Sequence, residues 1–401
     1  MRNMRMRIKG ADGRFKTVYE SHFDPKTGNL VRRVWELRNR DRFSLIEEDE
    51  DLCTQFRSQF PHRHRSFCSP SPEMVDISIT NQCNFECPYC YQCSTKDAEH
   101  GEHNLVEKVI KGFQHPPYQI AIGGGEPTLH PDLPDMLRTA RRLKVVPNYT
   151  TNGSFMTREL VEATNKYCGG VAMTYHPHKG IAWFRKHYLR LKNSLTCQLN
   201  VHLILKRGIL RDLRALMGLQ KEAGPISLVL LAYDPQGRGT MSQLPSRSDF
   251  NDRLPQLLIT AQNQGMHIAF SEGLLPYFLS RPQIAANAGL GTRSEGLFSC
   301  YVNSQGQMFE SSFEAAPCAG DFQKPTVFEN TSQELWENLY VGYNADFPPC
   351  STCKGKSRCA PRAVTFGYLL CAHSEIHKLP HCERPAEGVK TAFERLLEED
   401  D

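Results

Sequence analysis

Between residues 75 and 232 the chain repeats a short apolar-polar rhythm. Val75, Ile77 and Ile79 alternate with Asp76, Ser78 and Thr80, a period of two that predicts a β-strand. Segments of strand character recur at 118–122, 145–150, 171–175, 196–205 and 226–232. Between them, residues 103–113, 132–143, 157–167, 180–192 and 209–222 read as helices. Strands alternating with helices predict parallel βα units, here six in about 160 residues, and so a barrel or a doubly wound sheet. In such folds the chemistry lies on loops that follow the strand C-termini.

The texture differs on either side. Residues 16–20 and 30–36 flank the turn-rich Asp24-Pro25-Lys26-Thr27-Gly28-Asn29, which predicts a β-hairpin. Glu47 to Asp51 form an acidic run, and Pro61, Pro70 and Pro72 punctuate a linker. After about residue 290 the alternation gives way to cysteine-punctuated loops. A chain of 401 residues is too long for one ordinary domain, and three parts are expected: an extension at 1–71, a barrel at 72–290 and a cysteine-rich region at 291–401.

Composition excludes several classes. Apolar residues make up 40% and charged residues 23%, which rules out wholesale disorder. No apolar run approaches the ~18 residues of a membrane span, and the basic start lacks the apolar stretch of a secretory signal. A cytoplasmic location is the expectation. The net charge of +4 is unevenly spread, since residues 1–70 hold 15 basic and 10 acidic side chains. The remainder is close to neutral, so nothing demands nucleic acid.

Fifteen cysteines change the picture more than the charge does. Four lie in 83–93 and seven between Cys300 and Cys382. In a reducing compartment such clusters point to metal. Cys83-Asn84-Phe85-Glu86-Cys87-Pro88-Tyr89-Cys90 follows the first barrel strand as Cys-x3-Cys-x2-Cys, a pattern expected about 0.02 times by chance. Three thiolates on one loop can hold three irons of a [4Fe–4S] cube and leave the fourth open. Zinc on three or four of these cysteines is the competing reading. Cys93 is a nearby candidate for a fourth ligand, which the open-iron reading does not need.

Gly123-Gly124-Gly125-Glu126-Pro127 ends the second strand, where glycines let backbone approach a small ligand and Glu126 offers a carboxylate to an ammonium group. The third strand ends in Thr150-Thr151-Asn152-Gly153, which makes Asn152 a candidate polar contact or a plain turn. His176 and His178 follow the fourth strand, and Asp234 and Arg238 follow the sixth. All share the same predicted rim.

The cysteine loop and the Gly-Gly-Glu-Pro stretch, in this order, resemble the radical S-adenosylmethionine (radical SAM) superfamily over roughly residues 72–290. The resemblance implies a partial (βα)6 TIM-type barrel. Cys83, Cys87 and Cys90 would ligate the cluster, and its open iron would be chelated by the amine and carboxylate of SAM. Gly124, Gly125 and Glu126 would hold the SAM amine, Tyr89 would lie near the adenine, and Asn152 and His176 would contact SAM or substrate. The aromatic-histidine stretch after the fourth strand departs from many relatives, which carry a small hydroxyl or acidic residue there.

Cys350-x2-Cys353-x5-Cys359, followed by Cys382, is similar to the SPASM or twitch extensions that hold auxiliary Fe–S clusters. Cys300, Gly306 and Phe309 match the opening of such an extension, and residues 332–340 match its short helix. Ala363 stands where another cysteine is expected, and Ser311 and Ser312 stand where Cys318 arrives late. The resemblance implies one auxiliary cluster on Cys350, Cys353, Cys359 and Cys382. A second would draw on Cys300, Cys318 and Cys371. A single zinc is the alternative for this region.

The implied function is reductive cleavage of SAM to a 5′-deoxyadenosyl radical, which abstracts hydrogen from a substrate. A peptide or protein being crosslinked, oxidised or given a thioether is the expected substrate class. A small molecule such as a carbohydrate is the second reading, and a non-catalytic Fe–S or zinc protein the third. A low-potential donor such as flavodoxin or ferredoxin is the expected electron source, and the N-terminal hairpin is a candidate for docking a precursor peptide by strand addition.

Overall fold

The computed structural model of the chain describes residues 71–271 without a break. It also describes Ser69, Leu274, 281–285, 288–290, 295–296, 298–313, 324–337 and Leu339, with the backbone of 2–9, 15–24 and 29–34 and the Ser21 side chain. The fold is built on one ten-stranded sheet. Its centre is a run of parallel strands: β4 (Met74–Ser78), β5 (Gln119–Gly123), β6 (Val146–Thr151), β7 (Gly170–Thr174), β8 (Gln198–Leu205) and β9 (Ser227–Ala232). Each neighbouring pair is parallel, as the βα rhythm predicts. The connections are α1 (Leu105–Lys111), α2 (Leu133–Arg142), α3 (Arg158–Tyr167), α4 (Gly180–Ser194) and α5 (Ile209–Ala223). This is the expected partial (βα)6 barrel.

The sheet extends past both ends of that run. Beyond β9 lie α6 (Leu254–Asn263), β10 (His267–Phe270), the short α7 (Pro282–Ala285) and β11 (Ala288–Leu290), with both strands parallel to their neighbours. On the other edge, β12 (Ser299–Val302) returns to pair parallel with β4, placing Cys300 opposite Val75. It then folds back through Gly306, at φ +83°, into β13 (Met308–Phe309). The short α8 (Ser332–Glu337) packs so closely on the end of α1 that a Cβ at Gly112 would lie 2.6 Å from the Ser332 nitrogen.

Strand alternation sorts the side chains. Val75 and Ile77 pair in register with Ile120 and Ile122, and all four are buried in the core shared with the helices. Val109 of α1 and Leu137 of α2 join them, fully buried. The opposite face looks into the barrel and carries polar groups, among them Asp76, Asn148, Asn200 and His202. Burial alone pushes Asp76 up to about 7 and His202 down to about 4. Both remain half-buried by surface area, so the barrel interior has room inside it. A Cβ at Gly123 would meet nothing within 4 Å.

Residues 2–9, 15–24 and 29–34 form a separate antiparallel sheet, β1 (Arg2–Lys9), β2 (Phe15–Asp24) and β3 (Asn29–Val34), in that order. The expected hairpin is β2–β3, closed by the pair Asp24↔Asn29. β1 adds an unexpected strand, although Met4, Met6 and Ile8 alternate with Arg5, Arg7 and Lys9. The Tyr118 hydroxyl donates to the Ser21 carbonyl at 2.6 Å, so this sheet meets the barrel just before β5, at the end opposite the C-terminal rim of the strands.

Candidate active site

Three loops meet at the C-terminal ends of β4, β5 and β6. The first runs from Thr80 through the three cysteines. The glycine loop after β5 is laced to it by backbone bonds, with the Gly125 amide donating to the Thr80 carbonyl and the Glu126 amide to the Gln82 carbonyl, each at 2.8 Å. Glycine is required here. A Cβ at Gly124, where φ is +126°, would lie 2.2 Å from the Thr80 oxygen, and one at Gly125 would lie 2.2 Å from the Gln82 oxygen.

Glu126 is 1% exposed, and its carboxylate is filled by protein donors. Oε1 accepts from the Thr128 amide at 3.2 Å and from the Thr128 and Thr151 hydroxyls, both at 2.6 Å. Oε2 accepts from the Asn152 amide at 2.6 Å. Burial raises its pKa and these four bonds oppose the rise. The carboxylate therefore braces the β5 rim to the β6 rim. Asn152 continues the brace, donating from Nδ2 to Oδ1 of Asn84 inside the cysteine loop at 2.8 Å.

Cys83 and Cys87 are buried, Cys90 half-buried, and none of the three is in a disulfide. Burial is the largest influence on the first two thiols, pushing Cys83 to about 11 and Cys87 to about 12, and the other thiols of the set add to it. The Arg238 guanidinium pulls both down. Three mutually repelling thiols in an apolar nest of Phe85, Tyr89, Tyr233 and Leu244 are costly as free thiolates. Bound iron removes that cost, and a soft three-sulfur donor set suits an Fe–S centre. Cys93 is in a disulfide and is not part of the set.

The later strands close the nest. His176 Nδ1 lies 3.4 Å from Cys87 Sγ and 3.3 Å from the Tyr89 hydroxyl, with its ring nearly parallel to that of Tyr89. His178 reaches the same sulfur at 4.0 Å, and the three ligating atoms lie within 4.8 Å of one another. Burial, then the nearby His178, Lys179 and Lys206, depress His176 to about 3, so its imidazole is neutral. Lys206 sits 4.6 Å above the Tyr89 ring and Lys179 4.4 Å above Phe85.

The loop after β9 contributes most of what sequence reading missed. The Arg238 amide donates to the Cys90 carbonyl at 3.0 Å, Nε to the Cys87 carbonyl at 2.9 Å and Nη1 to the Ser94 carbonyl at 3.1 Å. Gln243 Nε2 donates to the Pro88 carbonyl at 3.2 Å. Four carbonyls of the cysteine loop are thus held from a strand about 150 residues away. Arg238 was expected on this rim, but no local pattern gave these partners. Asp234 beside it has one buried carboxylate oxygen without a partner, and burial raises it to about 6.

Cys300 is buried in the main core cluster on β12. Cys318, Cys350, Cys353, Cys359, Cys371 and Cys382 lie outside the described residues. The hairpin around Gly306 and the short helix at Ser332 are present as the resemblance implies.

A parallel partial barrel thus carries a three-thiol loop after its first strand and a glycine loop after its second, a donor set suited to an Fe–S centre beside a small ligand. Residues 77–205, which include the three thiols, the glycine loop and Asn152, match the model of the radical SAM superfamily. The PqqA peptide cyclase of Gluconobacter oxydans is 22% identical over 314 residues, spanning 72% of this chain and 85% of its own. The AdoMet-dependent heme synthase of Methanosarcina barkeri is 25% identical over 330 residues, spanning 72% and 90%. Among solved structures, Streptococcus suis SuiB bound to S-adenosylmethionine superposes with a TM-score of 0.59 at 15% identity, covering 79% of both chains. SuiB bound to its precursor peptide SuiA gives 0.56 at 15% identity, over 69% of this chain and 67% of that one. The structural likenesses establish the fold. No helix among the described residues is long and apolar enough to cross a membrane.

Proposed function

We propose that this enzyme modifies a peptide or protein by radical chemistry. The observation that carries the reading is the pairing of a complete three-cysteine rim with a separate N-terminal antiparallel sheet, β1-β2-β3, whose outer strands are β1 and β3. Backbone at such an edge is suited to adding an extended peptide strand. The likeness to a peptide cyclase across most of both chains, and to a fold whose structure holds a precursor peptide, supports the same class.

Cys83, Cys87 and Cys90 would hold a [4Fe–4S] cluster with one open iron. Held there beside SAM, such a cluster would supply the one electron needed for reductive cleavage of SAM to methionine and a 5′-deoxyadenosyl radical. The backbone at Gly124 and Gly125 and the Glu126 brace shape the seat for the SAM amine. Tyr89, with His176 stacked on it, lies on the adenine side. Phe85, Tyr233 and Leu244 exclude water from the nest. The open barrel interior below, with Asp76 and His202 on its walls, takes the substrate group that loses hydrogen. Cys350, Cys353, Cys359 and Cys382 would hold an auxiliary cluster, with Cys300, Cys318 and Cys371 as the candidate set for a second. A flavodoxin or ferredoxin in the cytoplasm would deliver the electron.

The sheet's attachment through Tyr118 sets a geometric condition. A peptide docked there must pass the height of the barrel to reach the rim, about 17 Å for a five-residue strand, so at least about five extended residues must separate the docked segment from the modified one.

The test is anaerobic reconstitution, addition of SAM and dithionite, and measurement of 5′-deoxyadenosine with and without short peptides encoded beside the gene. Peptide-dependent turnover that is lost on deleting residues 1–70 supports the reading; full turnover without them removes the docking role. A small-molecule substrate is the second reading, favoured by the heme synthase likeness, which spans as much of this chain as the peptide cyclase does. It predicts turnover that is indifferent to residues 1–70 and to every peptide.

A further inference from the structure

Arg238 is more than a strut. Three of its donors are spent on the carbonyls of Cys90, Cys87 and Ser94, but Nη2 is buried and has no partner among the described residues. Buried donors in folded proteins are nearly always paired, so an orphan of this kind calls for a ligand. Gly237 brings the chain to this place. It sits at φ +59°, and a Cβ there would lie 2.4 Å from the Tyr91 oxygen and 2.6 Å from the Cys90 oxygen, so the Arg238 backbone is pressed directly against the cysteine loop. The guanidinium is also the positive charge that acts on both Cys83 and Cys87.

We propose that Arg238 is a redox-positioning residue, which holds the Cys83–Cys90 loop through its carbonyl contacts and turns Nη2 toward a sulfur of the bound cluster, favouring the reduced state. The inference rests on the reading of Cys83, Cys87 and Cys90 as the cluster ligands. The physical reason is charge. Reduction adds one negative charge to a centre already carrying three thiolates, and a fixed cation in an apolar nest offsets it more strongly than water would. The electron comes from a flavodoxin- or ferredoxin-class donor, replaced by dithionite in the assay, and no proton is required. The clamp and the charge are separable, because a neutral amide can still donate to a carbonyl, whereas a lysine keeps the charge and loses the planar fork.

The experiment uses the full chain, reconstituted anaerobically, with the relevant cluster identified as the one whose EPR signal changes on adding SAM. Arg238→Gln is expected to lower the reduction equilibrium of that cluster about tenfold, a midpoint about 59 mV more negative for one electron. Arg238→Lys is expected to stay within about threefold of wild type in that equilibrium, yet to lose iron to a chelator several-fold faster. A glutamine variant that holds its cluster at the wild-type midpoint overturns the charge role. If the glutamine variant holds no cluster, the lysine variant decides: a midpoint within threefold supports the proposal, and one lowered tenfold overturns it. Wild-type chelator kinetics in the lysine variant overturn the clamp. A wild-type chain with no SAM-responsive signal at all would instead fault the ligand assignment beneath the proposal.

Discussion

The two halves of the rim are built differently. The loops after β4, β5 and β6 are held to one another largely by backbone bonds and one buried carboxylate, with glycine wherever two strands of backbone touch. The loops after β7 and β9 reach inward with side chains instead: His176 to the sulfur of Cys87, Arg238 and Gln243 to the carbonyls of the cysteine loop. The first half sets the shape of the rim. The second supplies its electrostatics. A seat made of backbone tolerates no added atom, whereas one supported by side chains can be retuned by single substitutions.

The division can be broken first at its centre. Cys87→Ala removes the thiol that both halves touch; with Cys83, Cys87 and Cys90 as the proposed cluster ligands, it should cut 5′-deoxyadenosine formation at least about a thousandfold. Iron held by the C-terminal cysteines should remain. Wild-type SAM cleavage in this variant would mean that the site lies elsewhere.

Gly125→Ala tests the backbone half. The new Cβ falls 2.2 Å from the Gln82 oxygen and 2.9 Å from that of Asn81, so the two loops must part. A loss of about 2–3 kcal/mol in stability is expected, with SAM binding weakened as well. Gly218, where a Cβ meets nothing within 4 Å, is the control, and its alanine variant should melt at or above the wild-type temperature. Equal melting temperatures for the two variants would count against a close-packed seat.

Glu126→Gln is subtler. The amide keeps the shape but sets an NH2 group against donors, since all four partners of this carboxylate donate to it. The cost is about 1–3 kcal/mol. Thermal unfolding measures it, and an unchanged melting temperature would show that the brace carries little stability.

The smallest expected effect belongs to the barrel interior. His202 is held down to about 4 in the folded state by burial, against an ordinary value of about 6.5. The unfolded chain binds the proton more readily, so this contribution to stability is present above about 6.5 and is lost as pH falls toward 4. In His202→Asn the slope of stability with pH should flatten in that window. An identical slope would place the acid sensitivity on other groups.

Local chemistry was legible wherever the deciding contacts lie close in sequence. The six strands and five helices of the barrel fall within a residue or two of their pattern-based bounds, because each buries one face and repeats that face at its own period. The cysteine loop and the glycine loop were legible for a similar reason: three ligands, or one tight backbone approach, fit within eight residues. β1 carries the period-two pattern itself, Met4, Met6 and Ile8 against Arg5, Arg7 and Lys9, but was read only for its charge; its pairing with β2 makes it a strand. Cys300 resembled a ligand in sequence, and its burial on β12 follows from pairing with a strand more than two hundred residues earlier.

From sequence alone came the class of fold and the loops that carry the three thiols and the glycines, since hydrophobic period and residue spacing are local properties of the chain. Tertiary structure decided what surrounds those loops. Glu126 became a brace because Thr151 and Asn152 arrive on the next strand with donors to fill it. Arg238 became part of the cluster loop because the sheet brings β9 back beside β4's loop, and a charge acts through distance in space, not along the chain.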